Sequence, residues 1–72
     1  GSPIKDISKR LLEISKRLVE ISDRIVELLQ RIADSKDPNK DLQKEVKDVL
    51  EEYKRLVREY REVVKEYEKV VS

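Results

Sequence analysis

Length, composition and charge restrict this chain to one small domain and exclude several kinds of chemistry. Its 72 residues are 46% charged and 38% hydrophobic, with no cysteine, histidine, methionine, tryptophan or phenylalanine, a composition typical of helices. Without cysteine or histidine, the commonest metal ligands and nucleophiles are missing, and 17 basic against 16 acidic residues leave a net charge of +1, too weak a field to attract nucleic acid.

The N-terminal residues predict the start of a helix. Ser2 suits an N-cap and Pro3 a first helical residue, because the N–H that proline lacks would have no helical partner there. Residues 1–2 are interpreted as a cloning remnant, and no signal peptide is expected. No apolar run in the chain exceeds two residues, which excludes a membrane-spanning segment.

An unbroken heptad seam predicts the first helix over residues 3–34. Apolar residues are spaced alternately by three and four positions, which places them on one face of an α-helix. With heptad positions lettered a to g, position a holds Ile4, Leu11, Leu18, Ile25 and Ile32, and position d holds Ile7, Ile14, Ile21 and Leu28.

Residues 35–37 are a predicted hinge loop, followed by a second helix over residues 38–71. Asp37 is the predicted N-cap and Pro38 the first helical residue, because proline cannot continue a preceding helix but starts one well. The second seam has Val46, Tyr53, Tyr60 and Tyr67 at position a, and Leu42, Val49, Leu56, Val63 and Val70 at position d. So short a connection predicts antiparallel neighbours, an all-α helical hairpin with two helices of about 30 residues.

Two columns of charge agree with an antiparallel arrangement. Position g of the first helix is arginine in four successive heptads, and position g of the second helix is glutamate in four. In an antiparallel pair these two flanks face each other, so each arginine can meet a glutamate. The predicted intrachain pairs draw on Arg10, Arg17, Arg24 and Arg31 in the first helix and on Glu45, Glu52, Glu59 and Glu66 in the second.

On the opposite flank, apolar residues continue beyond the seam. A lone hairpin gives each helix a single neighbour and leaves this flank exposed, which usually marks an interface. A second hairpin docked there would complete a coiled-coil-like four-helix bundle, so association is expected to be part of the fold. The predicted apolar interface comprises Leu12, Val19, Val26 and Leu29 in the first helix and Leu50, Val57, Val64 and Val71 in the second.

Serine and tyrosine also recur every seven positions within these aliphatic faces. They are Ser8, Ser15 and Ser22 at position e of the first helix, and Tyr53, Tyr60 and Tyr67 at position a of the second. A buried hydroxyl without a partner costs about 1–3 kcal/mol, so these six residues predict an inter-helix hydrogen-bond network at the interface. In one alternative each serine bonds the carbonyl four residues before it. In another, each tyrosine keeps its ring in the core and its hydroxyl in water.

The regularity of the chain carries a resemblance. The heptads ISKRLLE, ISKRLVE and ISDRIVE are nearly identical. A short hinge with Asp37-Pro38 separates the two unbroken heptad seams. Over residues 3–72 the chain resembles de novo designed helical hairpins that pair into four-helix bundles through buried hydrogen-bond networks. The resemblance implies that specific association is the sole function. It also implies a synthetic, soluble chain with no natural cellular location, expressed in bacterial cytoplasm.

The polar and charged residues that border the open flank, called here its rim, indicate which kind of partner is favoured. That rim carries Lys9, Lys16, Asp23, Gln30, Lys47, Lys54, Arg61 and Glu68. Since five of these are basic and two acidic, a more acidic cognate hairpin is favoured over a copy of the chain. A homodimer or homotrimer of hairpins is the alternative.

No enzymatic activity is expected from this sequence. Catalytic carboxylates need a pocket that perturbs their pKa, whereas the acidic residues here fall mainly at positions c, f and g, facing water or arginine. No cofactor, metal or small-molecule ligand is predicted, and the glutamate column that matches the arginines argues against a nucleic-acid partner. No membrane partner is predicted either, although a wide apolar face makes an interfacial amphipathic helix a further alternative.

Overall fold

Two helices of equal length account for almost all of the structure. The computed structural model describes residues 2–36 and 39–72, with helix α1 spanning Pro3–Asp34 and helix α2 spanning Lys40–Val71. The helices pack against each other, and ion pairs from Arg10 to Glu66 and from Arg24 to Glu45 show that they run antiparallel. The predicted all-α helical hairpin is therefore confirmed.

Helix α1 begins where its sequence predicts. Ser2 has an extended backbone, and its carbonyl accepts a hydrogen bond from the N–H of Asp6 at 3.1 Å. The Ser2 side chain makes no capping hydrogen bond, so the start depends on Pro3 and on the acidic Asp6 near the positive end of the helix dipole. At the other end, the N–H of Ser35 reaches the carbonyl of Ile32 at 3.2 Å.

Helix α2 begins two residues later than predicted, and its N-cap is Asn39. The Oδ1 atom of Asn39 accepts hydrogen bonds from the N–H groups of Asp41 at 2.9 Å and Leu42 at 3.2 Å. This satisfies two backbone donors of the first turn, which have no partner within the helix. The predicted cap Asp37 and the predicted first residue Pro38 lie outside the described residues.

The hairpin core is a narrow row of side chains along the line where the helices meet. Its buried members are Ile7, Ile14, Ile21 and Leu28 of α1 and Val46 and Val63 of α2. The four from α1 are its entire d column, whereas its a column is only half-buried. The d positions therefore point at α2, and the a positions turn partly toward the open flank.

At the far end of α2, the predicted core residue Val70 is exposed. Its side chain is 43% accessible, and it lies in the last turn before the helix ends at Val71. A seam position is buried only where the other helix covers it, so the pattern overestimates burial at the end of the hairpin.

The shape is that of a rod with too much surface for a compact domain. It measures 54 × 17 × 15 Å with a radius of gyration of 16.4 Å, where a compact domain of this length would have about 11 Å. Its accessible surface is 5841 Å², against about 4,700 Å² for a folded monomer of this mass. Within the described residues, neither helix has a stretch that is both long and apolar enough to cross a bilayer.

The cap on α2 generates a stability prediction. Replacing Asn39 by alanine removes the acceptor for two backbone N–H groups and is expected to cost about 1 kcal/mol of unfolding free energy. Urea denaturation at one fixed protein concentration measures this cost. Asn39→Asp should retain most of the stability, because aspartate offers the same acceptor. The matched control is Ser2→Ala, since the Ser2 side chain makes no capping hydrogen bond, and an equal loss in that variant would contradict the assignment.

Candidate association surface

The flank of the hairpin away from the Arg/Glu columns, called here the open face, is lined by apolar side chains that reach solvent. On α1, Val19 is 61% exposed, and Leu12, Val26 and Leu29 are exposed to a similar degree. These are unusually high values for large aliphatic residues that share one side of a helix.

The α2 half of the open face is more recessed. Leu50 and Val71 are exposed, whereas Val57 and Val64 are half-buried. All eight residues of the predicted apolar interface thus keep some contact with water in the single hairpin. The open face is an unfilled strip that runs along both helices.

The serines of the open face differ from one another. The Ser15 hydroxyl donates a hydrogen bond to the carbonyl of Leu11 at 2.7 Å, the local arrangement that the sequence left open as an alternative. Ser8 is exposed and Ser22 half-buried, and neither hydroxyl makes a hydrogen bond to another described residue. Only the middle serine is therefore satisfied by its own helix.

The tyrosines place their rings in the hairpin and their hydroxyls at its surface. Tyr60 and Tyr67 pack against the cluster of Ile7, Ile14 and Val63. Within residues 2–36 and 39–72 no tyrosine hydroxyl makes a hydrogen bond, and no fully buried side-chain nitrogen or oxygen lacks one. The hydroxyls are thus open to water, and no serine–tyrosine hydrogen bond forms within the hairpin. A network through these groups stays a prediction for an associated state.

The arginine and glutamate columns meet on the opposite, closed flank. The arginines do not pair with successive glutamates in strict order along the rod. Arg10 bonds Glu66 at 2.8 Å, but Arg17 reaches past Glu59 to bond Glu52 at 2.8 Å. Arg24 likewise bonds Glu45.

Two members of the columns make no cross-helix pair. Arg31 bonds Glu27 of its own helix at 2.9 Å, and Glu59 makes no ion pair with a described residue. Arg10 and Arg17 pair with glutamates two heptads apart, so Glu59, which lies between those glutamates, is passed over. Because Arg24 takes Glu45, Arg31 is left without a glutamate across the seam.

Arg17 contacts two carboxylates on the closed flank. The hydrogen bond that it donates to Glu52 and the charge of that carboxylate raise the pKa of the Arg17 guanidinium, and a second bond to Glu20 at 3.3 Å acts in the same direction. A group with a raised folded-state pKa loses its contribution only as the pH rises through that pKa. The Arg17 guanidinium therefore stays charged throughout the neutral range. Since these side chains are solvent-exposed, they contribute more to orientation than to stability.

Basic side chains border the open face along α2. A shallow hollow of about 380 Å³ is lined by Tyr53, Lys54, Val57, Arg58 and Arg61, which all belong to this helix. None of its three cations makes an ion pair with a described residue. The rim predicted from sequence included Lys54 and Arg61 but missed Arg58. Its spacing, four residues after Lys54 and three before Arg61, is the signal that could have found it.

No family model, curated protein or solved structure matches this chain. In the described part of the chain, no group of three or more acidic residues is arranged to hold a metal ion. The role of the open face is therefore argued from its own residues.

The choice of Glu52 rather than Glu59 as the partner of Arg17 is tested by two isosteric changes. Glu52→Gln removes a carboxylate that Arg17 contacts, whereas Glu59→Gln removes one that has no partner among the described residues. The Glu52 variant is expected to have the lower urea midpoint, and the difference should shrink in 1 M salt because the charges are screened. Equal midpoints for the two variants in low salt, or a lower midpoint for the Glu59 variant, would contradict the observed pairing of Arg17 with Glu52.

Proposed function

We propose that this chain is an interaction module that docks its open face on a second helical hairpin and closes a coiled-coil-like four-helix bundle. The observation that supports this most directly is the exposed apolar strip on both helices, from Leu12 to Leu29 on α1 and from Leu50 to Val71 on α2. A helix whose apolar face is wider than its one neighbour can cover is stabilised by a further neighbour.

The surface area of the rod is of the right size for such a partner. The chain exposes roughly 1,100 Å² more than a compact monomer of its mass would. A specific protein–protein interface buries about 800 Å² on each partner. Docking along the open face would thus remove an area close to the excess.

The hairpin core by itself is thin. Among the described residues six are buried and form it, and domains of this size rarely reach useful stability on a single small core. A second hairpin would turn the half-buried a column of α1 into a core row. Folding and association are therefore coupled in this proposal, and stability depends on protein concentration.

Selectivity is assigned to the hydroxyl groups. Ser8 and Ser22 make no hydrogen bond to another described residue, and the tyrosine hydroxyls are open to solvent. A partner that covers them with apolar groups alone would remove water and leave donors unsatisfied, at about 1–3 kcal/mol for each group. A partner with matching polar groups would form the layered network, so the hydroxyls discriminate between partners.

The nearly identical repeated heptads support a de novo designed origin. The proposed partner is a cognate hairpin, with a homodimer or homotrimer as the alternative. Neither proposal involves catalysis, a cofactor or a small molecule.

Association is tested on the open face of α1. Size-exclusion chromatography with light scattering should show that the wild-type chain forms a dimer or a mixed complex, not a rigid monomer at low micromolar concentration. Val19→Gln with Val26→Gln should weaken association at least about tenfold, because two exposed apolar residues are lost. Helix propensity is maintained, since glutamine is a better helix former than valine.

The control for this test is Glu13→Gln with Lys36→Gln. Both residues are exposed, Glu13 on the side of α1 away from the open face and Lys36 in the connection between the helices, and the pair of changes leaves the net charge unaltered. Association should be unaffected in this variant. A wild-type chain that is monomeric, unfolds cooperatively and independently of concentration, and also binds no other helical hairpin would refute the proposed function.

The hydroxyl network is tested by replacing Tyr53, Tyr60 and Tyr67 with phenylalanine. Helicity by circular dichroism should be retained, because the rings at positions 60 and 67 still pack on the core cluster and the ring at position 53 stays half-buried. Partner choice should loosen, which is measured as the ratio of affinities for the preferred hairpin and for a mismatched one. An unchanged ratio would remove the recognition role of these hydroxyls.

A further inference from the structure

A row of cations without ion-pair partners runs beside the apolar strip of α2. It consists of Lys47, Lys54, Arg58 and Arg61, called here the basic rim. At 100° per residue these four side chains lie within roughly 60° of one another around the helix. No ion pair joins any of them to a described residue, although Arg10, Arg17 and Arg24 of α1 all reach glutamates across the closed flank.

The hollow in this rim combines an apolar floor with fixed positive charge. Tyr53 and Val57 are half-buried, whereas Lys54, Arg58 and Arg61 are exposed. Such a site suits the methylene groups and carboxylate of a glutamate, because guanidinium groups bind carboxylates through two parallel hydrogen bonds. The hollow is formed by one helix only, so it becomes enclosed only when a second surface faces it.

A second copy of this chain supplies that surface poorly. Its rim would present further cations, including Lys9 and Lys16 of α1, against Asp23, Glu51 and Glu68 as acidic rim residues. Opposite charges can meet at some positions, but the excess of cations leaves like charges facing each other at others. Like-charge contact at an interface disfavours the wrong partner.

We propose that the open face selects a helical partner whose rim is acidic, with a glutamate or aspartate side chain seated in the hollow between Arg58 and Arg61. This rests on the proposed function and specifies the chemistry of its partner. The apolar strip supplies the contact area, and the basic rim determines which helix may cover it.

The test uses this chain as its own probe. In a rim-reversed copy, Lys47, Lys54, Arg58 and Arg61 are all replaced by glutamate, which lowers the formal net charge by eight units, from +1 to −7. In a control copy, Arg31, Lys36, Arg55 and Lys69 are replaced by glutamate, which gives the same net charge with the basic rim intact. A third copy carries glutamine at the four rim positions, in case the reversed copy folds poorly alone.

Wild-type chain is titrated with each copy, and complexes are measured by native mass spectrometry and light scattering. The rim-reversed copy is expected to bind at least about tenfold more tightly than the control copy, with the glutamine copy between them. The preference should shrink in 1 M salt. Equal binding of the reversed and control copies, or a wild-type homodimer as tight as the mixed complex, would overturn the acidic-partner inference while leaving association intact.

Failure of the proposed function would look different, because the wild-type chain would then bind none of the copies and would not bind itself. Two other acidic surfaces are included as probes: anionic lipid vesicles and a short DNA duplex. Binding of the wild-type chain to either one, lost in the rim-reversed copy, would reassign the basic rim to that surface and overturn the proposal. Absence of binding to both is the expected result.

Discussion

Each helix of this protein has a single neighbour, and the rest of the structure depends on that constraint. Two helices in contact bury only the side chains along one line, here the d column of α1 with Val46 and Val63 of α2. The sequence supplies apolar residues over a much wider arc. Everything outside the contact line, including the a column and the exposed valines and leucines, therefore lies where a further helix would pack. The elongated shape and the large accessible surface have the same cause, because the apolar arc of each helix is wider than its one neighbour can cover.

The two flanks of the hairpin do different work. On the closed flank, arginines of α1 bond glutamates of α2 and fix the antiparallel direction. On the open face, the four cations of the basic rim have no ion-pair partner, and Ser8 and Ser22 no hydrogen bond, among the described residues. The ion pairs across the closed flank hold the hairpin together, although Glu59 there pairs with no described residue. The unpaired cations and hydroxyl groups of the open face lie on the flank proposed to meet another protein, and there they would exclude partners that lack the complementary groups.

Sequence pattern predicted the two helices and their hairpin because heptad spacing and a short polar hinge are local signals. It was less informative about details that depend on rotation and register. The pattern treats a and d positions alike, yet only the d column of α1 is buried, since the helix is turned toward α2 on that side. Repeated arginine and glutamate likewise permit several sets of ion pairs, so the sequence could not show that Glu59 would be left unpaired. The cap at Asn39 was missed because Pro38 is itself a strong signal for a helix start.

The hydrogen bond from Ser15 to Leu11 also bears on sliding between helices. Near-identical heptads make the open face periodic, so a partner displaced by one repeat, about 10 Å along the rod, would meet almost the same aliphatic surface. Ser15 interrupts that translational symmetry, because its hydroxyl already donates a hydrogen bond, whereas those of Ser8 and Ser22 make none to a described residue. In the proposed complex, the first and third serine layers would therefore need a polar partner group and the middle layer would not. A docked helix that matched this order would have one preferred axial position, and a slip of seven residues would place a polar group opposite the wrong layer.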